Sequence, residues 1–274
     1  MNLVRSLALI EELGTDGHSP LLFLDNQLDT FFCKYRTGAS LNALEIDCLF
    51  YEIVAKNLLD YLGVPTPELS IVEIVAGSYS KKMLLKHKRF CVPGQLYLGS
   101  KLIPEAHDLH GLLSLTNKRA FKKIINPYDL LKIAMFDLWI DNCDRGKNEN
   151  YNILVAQEGP AMKFYAFDHA FCFGGLTSLR IFNSAHPIST NNKLITSAYF
   201  RKLLPYLDKA LSIEIVNSLL PLQTHQIESI ILTSYSQCPP EWSIPEQLKD
   251  RMVSFLTAEN RISEIKNLMW AMFL

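Results

Sequence analysis

The chain has 274 residues, which is enough for one large domain or for two parts that each bury a core. Hydrophobic residues make up 49% of it and charged residues 20%, a balance typical of folded globular proteins and not of disordered ones. The 27 basic and 28 acidic residues nearly cancel, so we expect no direct binding of nucleic acid through a strongly basic surface.

The six cysteines are scattered, without the close pairs that bind zinc. A disulfide-stapled secreted fold is not expected at this length. The sequence has no apolar run of the roughly 20 residues that a membrane span needs, and its N-terminus does not have the pattern of a signal peptide. We therefore expect a cytoplasmic protein with reduced thiols and no membrane span.

Residues 1–100 have the pattern of strands around one long helix. Apolar and β-branched runs predict strands over residues 3–10, 21–24, 30–35, 69–75 and 95–98. Asp25-Asn26-Gln27 predicts a hairpin turn between the second and third of them. Residues 41–62 predict the helix, because apolar residues recur at helical spacing, no proline interrupts them and Gly63 follows as a C-cap.

The rest of the chain has a mainly helical pattern. Residues 127–141 predict a helix with Asn126 as its N-cap. A polar loop over residues 141–152 comes next, then short strands over 153–155 and 163–167. Further helices are predicted over 197–219, 223–235 and 245–272. We therefore expect an α+β fold in which a strand-rich N-terminal lobe (1–100) precedes a helical C-terminal lobe (101–274).

Two segments of the second lobe carry groups suited to phosphoryl transfer. This reaction needs a lysine on the nucleotide phosphates, carboxylate and amide oxygens on Mg²⁺, and a residue that positions the attacking hydroxyl. The polar loop contains Asp144 and Asn152, and the second short strand ends at Asp168. A helix, a polar loop, two strands and a terminal aspartate follow one another as in kinases, so these three residues are expected to face one nucleotide.

Several motifs point to one family. They are Asp-Arg at 144–145, Asn-Tyr-Asn-Ile-Leu at 150–154, Phe-Asp-His at 167–169, Phe-Cys-Lys-Tyr at 32–35 and the segment 51–68. With these motifs the chain resembles HipA-like kinases, whose fold is related to that of protein kinases and phosphoinositide kinases. The resemblance implies a bilobal protein-kinase-like fold, with ATP and Mg²⁺ as cofactors.

The resemblance also implies catalytic roles. Lys34 would contact the α- and β-phosphates of ATP, and Glu52 would hold Lys34 by an ion pair. Glu45, on the same predicted helix, is the alternative partner of Lys34. Asp144 would be the catalytic base or would orient the attacking hydroxyl.

The expected metal ligands are Asn152 and Asp168, with Asn150 as the alternative to Asn152. The loop over the phosphates would include Gly14, Gly17 and Ser19. It departs from the usual pattern because it lacks a GxGxxG motif. No Ala-Pro-Glu segment follows Asp168, which is a departure from kinases that bind extended peptides.

The leading hypothesis is a serine/threonine protein kinase that phosphorylates a hydroxyl of its substrate. One alternative is a kinase that acts on a lipid head group or another small molecule. A second alternative is a nucleotide-binding pseudokinase or interaction module. The basic run from Lys81 to Arg89 is interpreted as a solvated loop or as a docking site for an anionic substrate or partner.

Overall fold

The computed structural model describes residues 1–14, 19–35, 47–86, 88–89, 91–109, 117–145, 150–174, 180–191 and 193–273. The strands are β1 (Asn2–Glu12), β2 (Leu21–Asp25), β3 (Thr30–Lys34), β4 (Leu69–Glu73), β5 (Leu96–Lys101), β6 (Ala106–Asp108), β7 (Ile153–Glu158) and β8 (Ala161–Ala166). The α-helices are α1 (Cys48–Tyr61), α2 (Lys118–Phe121), α3 (Asp129–Trp139), α4 (Ala198–Leu203), α5 (Lys209–Leu219), α6 (Thr224–Ser236), α7 (Gln247–Leu256) and α8 (Glu259–Trp270). The predicted α+β class is confirmed.

The N-terminal strands form a closed barrel in the order β1-β2-β3-β5-β4. β1 pairs antiparallel with β2 and parallel with β4, and the parallel pairing joins the two ends of the sheet. In β1, Val4, Ser6 and Leu9 are buried while Leu3 and Leu7 are exposed. Register shifts between β1 and β2 bend this strand, as bulges do where a sheet curves to close.

Two close contacts shape the barrel. The predicted hairpin turn between β2 and β3 is present, and its backbone N–H groups at Gln27 and Asp29 both donate to Asp25 Oδ1 at 2.8 Å. On β5, a Cβ atom at Gly99 would lie 2.5 Å from Cγ2 of Val72, so only glycine lets β4 and β5 approach this closely.

Helix α1 packs beside the barrel and belongs to the main hydrophobic core. It begins at Cys48, where the Asp47 side chain accepts from the Phe50 N–H at 3.1 Å. It ends at Tyr61, and Gly63 follows with φ 68°, the left-handed conformation predicted for it. Residues 41–46 of the predicted helix lie outside the described residues.

A second sheet, in the order β6-β7-β8, lies next to α3. The predicted N-cap role of Asn126 is wrong, because α3 begins at Asp129 after Tyr128 and shows no side-chain cap. The Asn126 side chain instead bonds the backbone N–H and C=O of Phe164 on β8, at 2.9 and 3.0 Å. It therefore fixes the start of α3 against the sheet.

Two predicted C-terminal helices are each divided. The segment 197–219 contains α4 and α5, because a turn with Pro205 separates them and Asp208 caps a new helix by accepting from Leu211 N–H at 2.8 Å. The segment 245–272 contains α7 and α8, and Ala258 between them has an extended backbone (φ −65°, ψ 106°). None of the helices in the described ranges is long and apolar enough to cross a membrane.

Candidate active site

Three predicted site residues meet between the barrel, α1 and the second sheet. Lys34 lies at the end of β3, Glu52 on α1, and Asp168 follows β8. The Lys34 Nζ atom is 2.6 Å from Glu52 Oε1 and 2.7 Å from Asp168 Oδ1. The side chains of Lys34 and Glu52 are only 12% and 8% exposed, and that of Asp168 is 29% exposed. The structure thus joins a lysine and two carboxylates that are far apart in sequence.

The strand geometry explains why Lys34 reaches this position. Side chains of β3 alternate, so Cys33 is buried in the barrel core while Lys34 points to the other side of the strand. Burial alone would lower the pKa of Lys34, but Asp168 and Glu52 outweigh it and raise the pKa above its ordinary value. The amine is therefore a protonated cation across the range in which proteins fold.

The carboxylate of Glu52 is affected in the opposite sense. Burial raises the pKa of Glu52 to about 7, and the negative charge of Asp168 adds to this effect while Lys34 opposes it. One ammonium shared between two carboxylates leaves an excess of negative charge. A cation near Asp168 would reduce this excess and favour the ionised form of Glu52.

Asp144 lies on the loop that follows α3. Its backbone N–H donates to Asn142 Oδ1 at 3.1 Å, a local turn of the kind that asparagine favours. The Asn142 side chain is fully buried and donates in turn to Asp137 Oδ1 on α3 at 3.1 Å. Asp144 itself is partly exposed, and its backbone is anchored to the helix through Asn142.

Arg145 connects this loop to the segment before Asp168. The side chain is fully buried, and its Nη1 donates to the carbonyl of Tyr151 at 2.6 Å and to that of Asn152. Its Nη2 donates to the carbonyl of Phe167 at 3.4 Å. These backbone oxygens flank two of the predicted ligands, so one guanidinium sets the spacing between the two segments.

The same guanidinium is paired on its other side with Asp137 and His169. Arg145 Nε lies 2.6 Å from Asp137 Oδ2, and both side chains are fully buried. Burial raises the pKa of Asp137, although Arg145 opposes this. The His169 ring Nε2 lies 2.7 Å from Arg145 Nη2. Burial and the arginine lower the pKa of His169, so its neutral ring accepts this hydrogen bond and acts as a structural residue.

Asn152 and Asp168 share an unusual backbone. Their φ angles are 45° and 55°, in the left-handed region that asparagine and aspartate tolerate best and that is often found at functional sites. Asn152 is buried, and its Nδ2 has no hydrogen-bond partner among the described residues. Asn150 is exposed, and its Oδ1 accepts from the Asn152 N–H at 3.3 Å. Asn152 and Asn150, the two alternative metal ligands, therefore differ in burial: Asn152 is buried and Asn150 is exposed.

A second buried cation secures the start of the loop. Lys193 Nζ lies 3.1 Å from Asp141 Oδ1 and also donates to the carbonyl of Asn142, and Arg180 Nη2 lies 3.3 Å from Asp141 Oδ2. Burial would raise the pKa of Asp141, but Lys193 and Arg180 outweigh it and lower the pKa. Lys193 and Arg180 were not predicted as site residues, because no motif or spacing distinguishes them from other basic residues.

The end of α3 is covered by a third buried cation. Arg261 on α8 donates from Nη2 to the carbonyls of Leu138 and Trp139, at 2.9 and 3.3 Å. Carbonyl oxygens in the last turn of a helix have no partner within that helix and carry partial negative charge. Arg261 therefore stabilises the point from which the loop with Asp144 departs.

The predicted phosphate loop is described only in part. Gly14 is described, and a Cβ atom there would meet no other atom within 4 Å. Gly17 lies outside the described residues, as does Glu45, the alternative partner of Lys34. Ser19 is buried with φ 42°, and its Oγ accepts from Lys86 Nζ at 3.1 Å. Lys86 is a further contact of this loop that the motifs did not indicate.

The sequence profile of the HipA-like kinase family matches residues 29–267. The chain belongs to the HipA-like kinase family. This match includes Lys34, Glu52, Asp144, Asn152 and Asp168 but not the predicted phosphate loop, and it confirms the resemblance drawn from the motifs. No curated protein sequence matches the chain.

Solved structures similar to the chain include the following three proteins. Hydra Fam20, solved with a sugar, is 14% identical with a TM-score of 0.54, covering 98% of this chain and 86% of Fam20. This likeness concerns the fold alone. The Helicobacter pylori proinflammatory kinase CtkA is 14% identical with a TM-score of 0.44, covering 96% of this chain and 94% of CtkA. HipA of Shewanella oneidensis, solved with HipB and operator DNA, is 11% identical with a TM-score of 0.41, covering 93% of this chain and 65% of HipA.

Replacing Arg145 is expected to destabilise this HipA-like kinase strongly. Arg145→Met leaves the buried carboxylate of Asp137 unpaired, so the free energy of unfolding should fall by about 3–5 kcal/mol in urea denaturation followed by circular dichroism. Because a lysine cannot present the same set of donors, Arg145→Lys should also lose stability. The double variant Arg145→Met/Asp137→Leu should recover part of the loss. A single-variant loss below about 1 kcal/mol would show that the pair is not the connection described.

The stability contribution of Glu52 should depend on pH. Its folded-state pKa is about 7 and its ordinary value 4.5, so this group favours folding most below pH 4.5 and loses that contribution as the pH rises to about 7. Between these limits, the free energy of unfolding should fall more steeply with pH for the wild type than for Glu52→Gln, which cannot ionise. Identical slopes would contradict the raised pKa.

Proposed function

We propose that the protein is an ATP-dependent phosphotransferase, a serine/threonine protein kinase that transfers the γ-phosphoryl group of ATP to a hydroxyl with Mg²⁺. The observation that carries the proposal is the contact of the Lys34 amine with both Glu52 and Asp168. In kinases a glutamate on a helix holds a strand lysine on the nucleotide phosphates, and an aspartate after a neighbouring strand binds the metal. Residues 1–100 would then be the nucleotide-binding lobe and residues 101–274 the catalytic lobe.

The side chains present fit a magnesium ion. Mg²⁺ prefers hard oxygen ligands such as carboxylates and amide carbonyls, and Asp168 and Asn152 supply both kinds. The Nδ2 atom of Asn152 is buried without a hydrogen-bond partner among the described residues, and turning the amide about its bond would exchange this nitrogen for the oxygen. Asn150 is exposed and already accepts a backbone N–H, which favours Asn152 as the ligand. When bound, ATP would supply the phosphoryl group and Mg²⁺ would supply positive charge beside the carboxylates.

The protein residues then have separate tasks. Lys34 binds the α- and β-phosphates while Glu52 keeps its amine in place. The observed contact supports Glu52 in this role. Asp144 orients the attacking hydroxyl and accepts its proton, because it is partly exposed on a loop whose backbone is fixed. The loop with Gly14 and Ser19 covers the phosphates in this proposal.

The direct test is transfer of labelled phosphate from ATP with Mg²⁺ to a generic protein such as casein. Asp144→Ala and Asp168→Ala should each reduce transfer at least about a hundredfold, because they remove the hydroxyl-orienting group and a metal ligand. The control Glu228→Ala changes an exposed carboxylate on α6 and should keep full transfer. Transfer that both site variants leave unchanged would contradict the proposal.

The same proteins separate the other candidate functions. Lipids and small metabolites assayed beside casein show whether the acceptor is a protein hydroxyl. Nucleotide binding is measured by stabilisation, which reaches about 2.7 kcal/mol when Mg·ATP is in hundredfold excess over its dissociation constant. Stabilisation without transfer to any acceptor would identify a nucleotide-binding pseudokinase.

A further inference from the structure

One side of the barrel presents basic and aliphatic side chains together. We call it the basic–aliphatic face, and it consists of Leu7 and Ile10 on β1 with Lys81, Lys82, Met83, Leu85, Lys86, Lys88 and Arg89 on the segment after β4. All of these side chains are exposed, and Leu85 is the most exposed of the aliphatic ones at 72%. Apart from Lys86, which contacts Ser19 of the loop proposed to cover the phosphates, the face has no role in the proposed phosphoryl transfer.

The segment that carries most of the basic–aliphatic face is hydrogen-bonded to the barrel. The Leu9 N–H donates to the carbonyl of Ser78 at 2.6 Å, and the Glu12 carboxylate accepts from the N–H groups of Leu85 and Lys86 at 2.6 and 2.7 Å. These bonds place the segment along the second half of β1. Leu84 is fully buried in the barrel core, so its neighbours on both sides must point outward. The exposed aliphatic groups are therefore presented by a fixed backbone.

The charged residues that define this face are all basic. No aspartate or glutamate occurs in the sequence between Glu73 and Glu105. Of the two acids at the end of β1, Glu12 accepts hydrogen bonds from backbone N–H groups of the segment, and Glu11 is exposed next to Ile10. Lys81, Lys82, Lys88 and Arg89 form no ion pair with any described residue. A partner of this face should therefore be anionic.

The composition selects among anionic partners. Protein interfaces are enriched in aromatic residues and arginine and depleted in lysine, whereas this face has four lysines, one arginine and aliphatic side chains. Single-stranded nucleic acid is bound by aromatic stacking, and the exposed apolar groups described on this face are all aliphatic. Because the barrel is closed, a partner also cannot add a strand to it here.

We propose that the basic–aliphatic face binds the surface of an anionic lipid bilayer. Lysine and arginine side chains would lie at the phosphate level, and Met83 and Leu85 would enter the boundary between head groups and acyl chains. Groups of four to eight basic residues beside apolar ones are typical of this kind of binding. The inference does not rest on the proposed kinase activity.

The test is co-sedimentation of the full chain with vesicles of phosphatidylcholine, with or without phosphatidylglycerol. The wild type should bind the anionic vesicles at least about tenfold more tightly than the neutral ones, and high salt should remove most of this difference. A charge variant and an aliphatic variant should each lose most of the binding. They are Lys81→Glu/Lys82→Glu/Lys88→Glu and Met83→Ser/Leu85→Ser.

Matched control variants carry the same changes on other exposed surfaces. They are Lys118→Glu/Lys122→Glu/Lys123→Glu near α2 and Leu211→Ser/Leu232→Ser on α5 and α6. These controls should bind anionic vesicles as the wild type does, and all variants should show the wild-type circular dichroism spectrum. Transfer to a water-soluble substrate is a separate measurement that vesicle binding does not depend on.

Three results would overturn the proposal. The first is equal binding of neutral and anionic vesicles, or none. The second is undiminished vesicle binding by the aliphatic variant, or an equal loss in the control variants, since either means non-specific attraction. The third is a charge variant that loses binding to duplex DNA or to an acidic protein but keeps binding to vesicles, which would assign the face to that partner.

Discussion

A buried ammonium shared by two carboxylates is the interaction on which the rest of this structure depends. Removing charged groups from water is costly, and their attraction offsets the cost only when the geometry is close. Lys34 comes from the barrel, Glu52 from α1 and Asp168 from the second sheet. A shift of any of these elements would leave a charge unpaired in a poorly hydrated place. The positions of three separate elements are therefore coupled through one amine.

Buried cations of the C-terminal part support the loop that follows α3. Three buried cations surround the loop after α3, and each binds backbone carbonyls as well as acting through its charge: Arg145, Lys193 and Arg261. Backbone carbonyls that are buried away from water need such donors, because an unsatisfied one costs about as much as a lost hydrogen bond. The loop can therefore be irregular in backbone, as catalytic loops often are, and still occupy one defined position.

Sharp backbone turns contribute to the same support. Gly174, six residues after Asp168, has φ 96°, and a Cβ atom there would collide with the carbonyl of Arg180. Only glycine allows the two chain segments to approach so closely. Asp141, Asn152 and Asp168 have positive φ without being glycine, and each is held by contacts from other segments. Strain of this kind persists only where surrounding contacts determine the conformation.

The sequence predicted the features that depend on local chemistry. The hairpin turn at Asp25 and the end of α1 at Gly63 follow from the conformations these residue types favour. The contact of Lys34 with Glu52 was expected from the family motifs and not from spacing. The parallel pairing of β1 with β4 and the roles of Arg145 and Lys193 could not be predicted in this way. They depend on long-range contacts, on which side-chain periodicity carries no information.

The most direct test of the central claim is a crystal structure with a non-hydrolysable ATP analogue and Mg²⁺. We expect the Lys34 amine to lie about 3 Å from an α- or β-phosphate oxygen while it remains paired with Glu52. We also expect the metal to lie between the side chains of Asp168 and Asn152. A nucleotide bound elsewhere, with Lys34 still paired to both carboxylates and no metal at Asp168, would contradict the account.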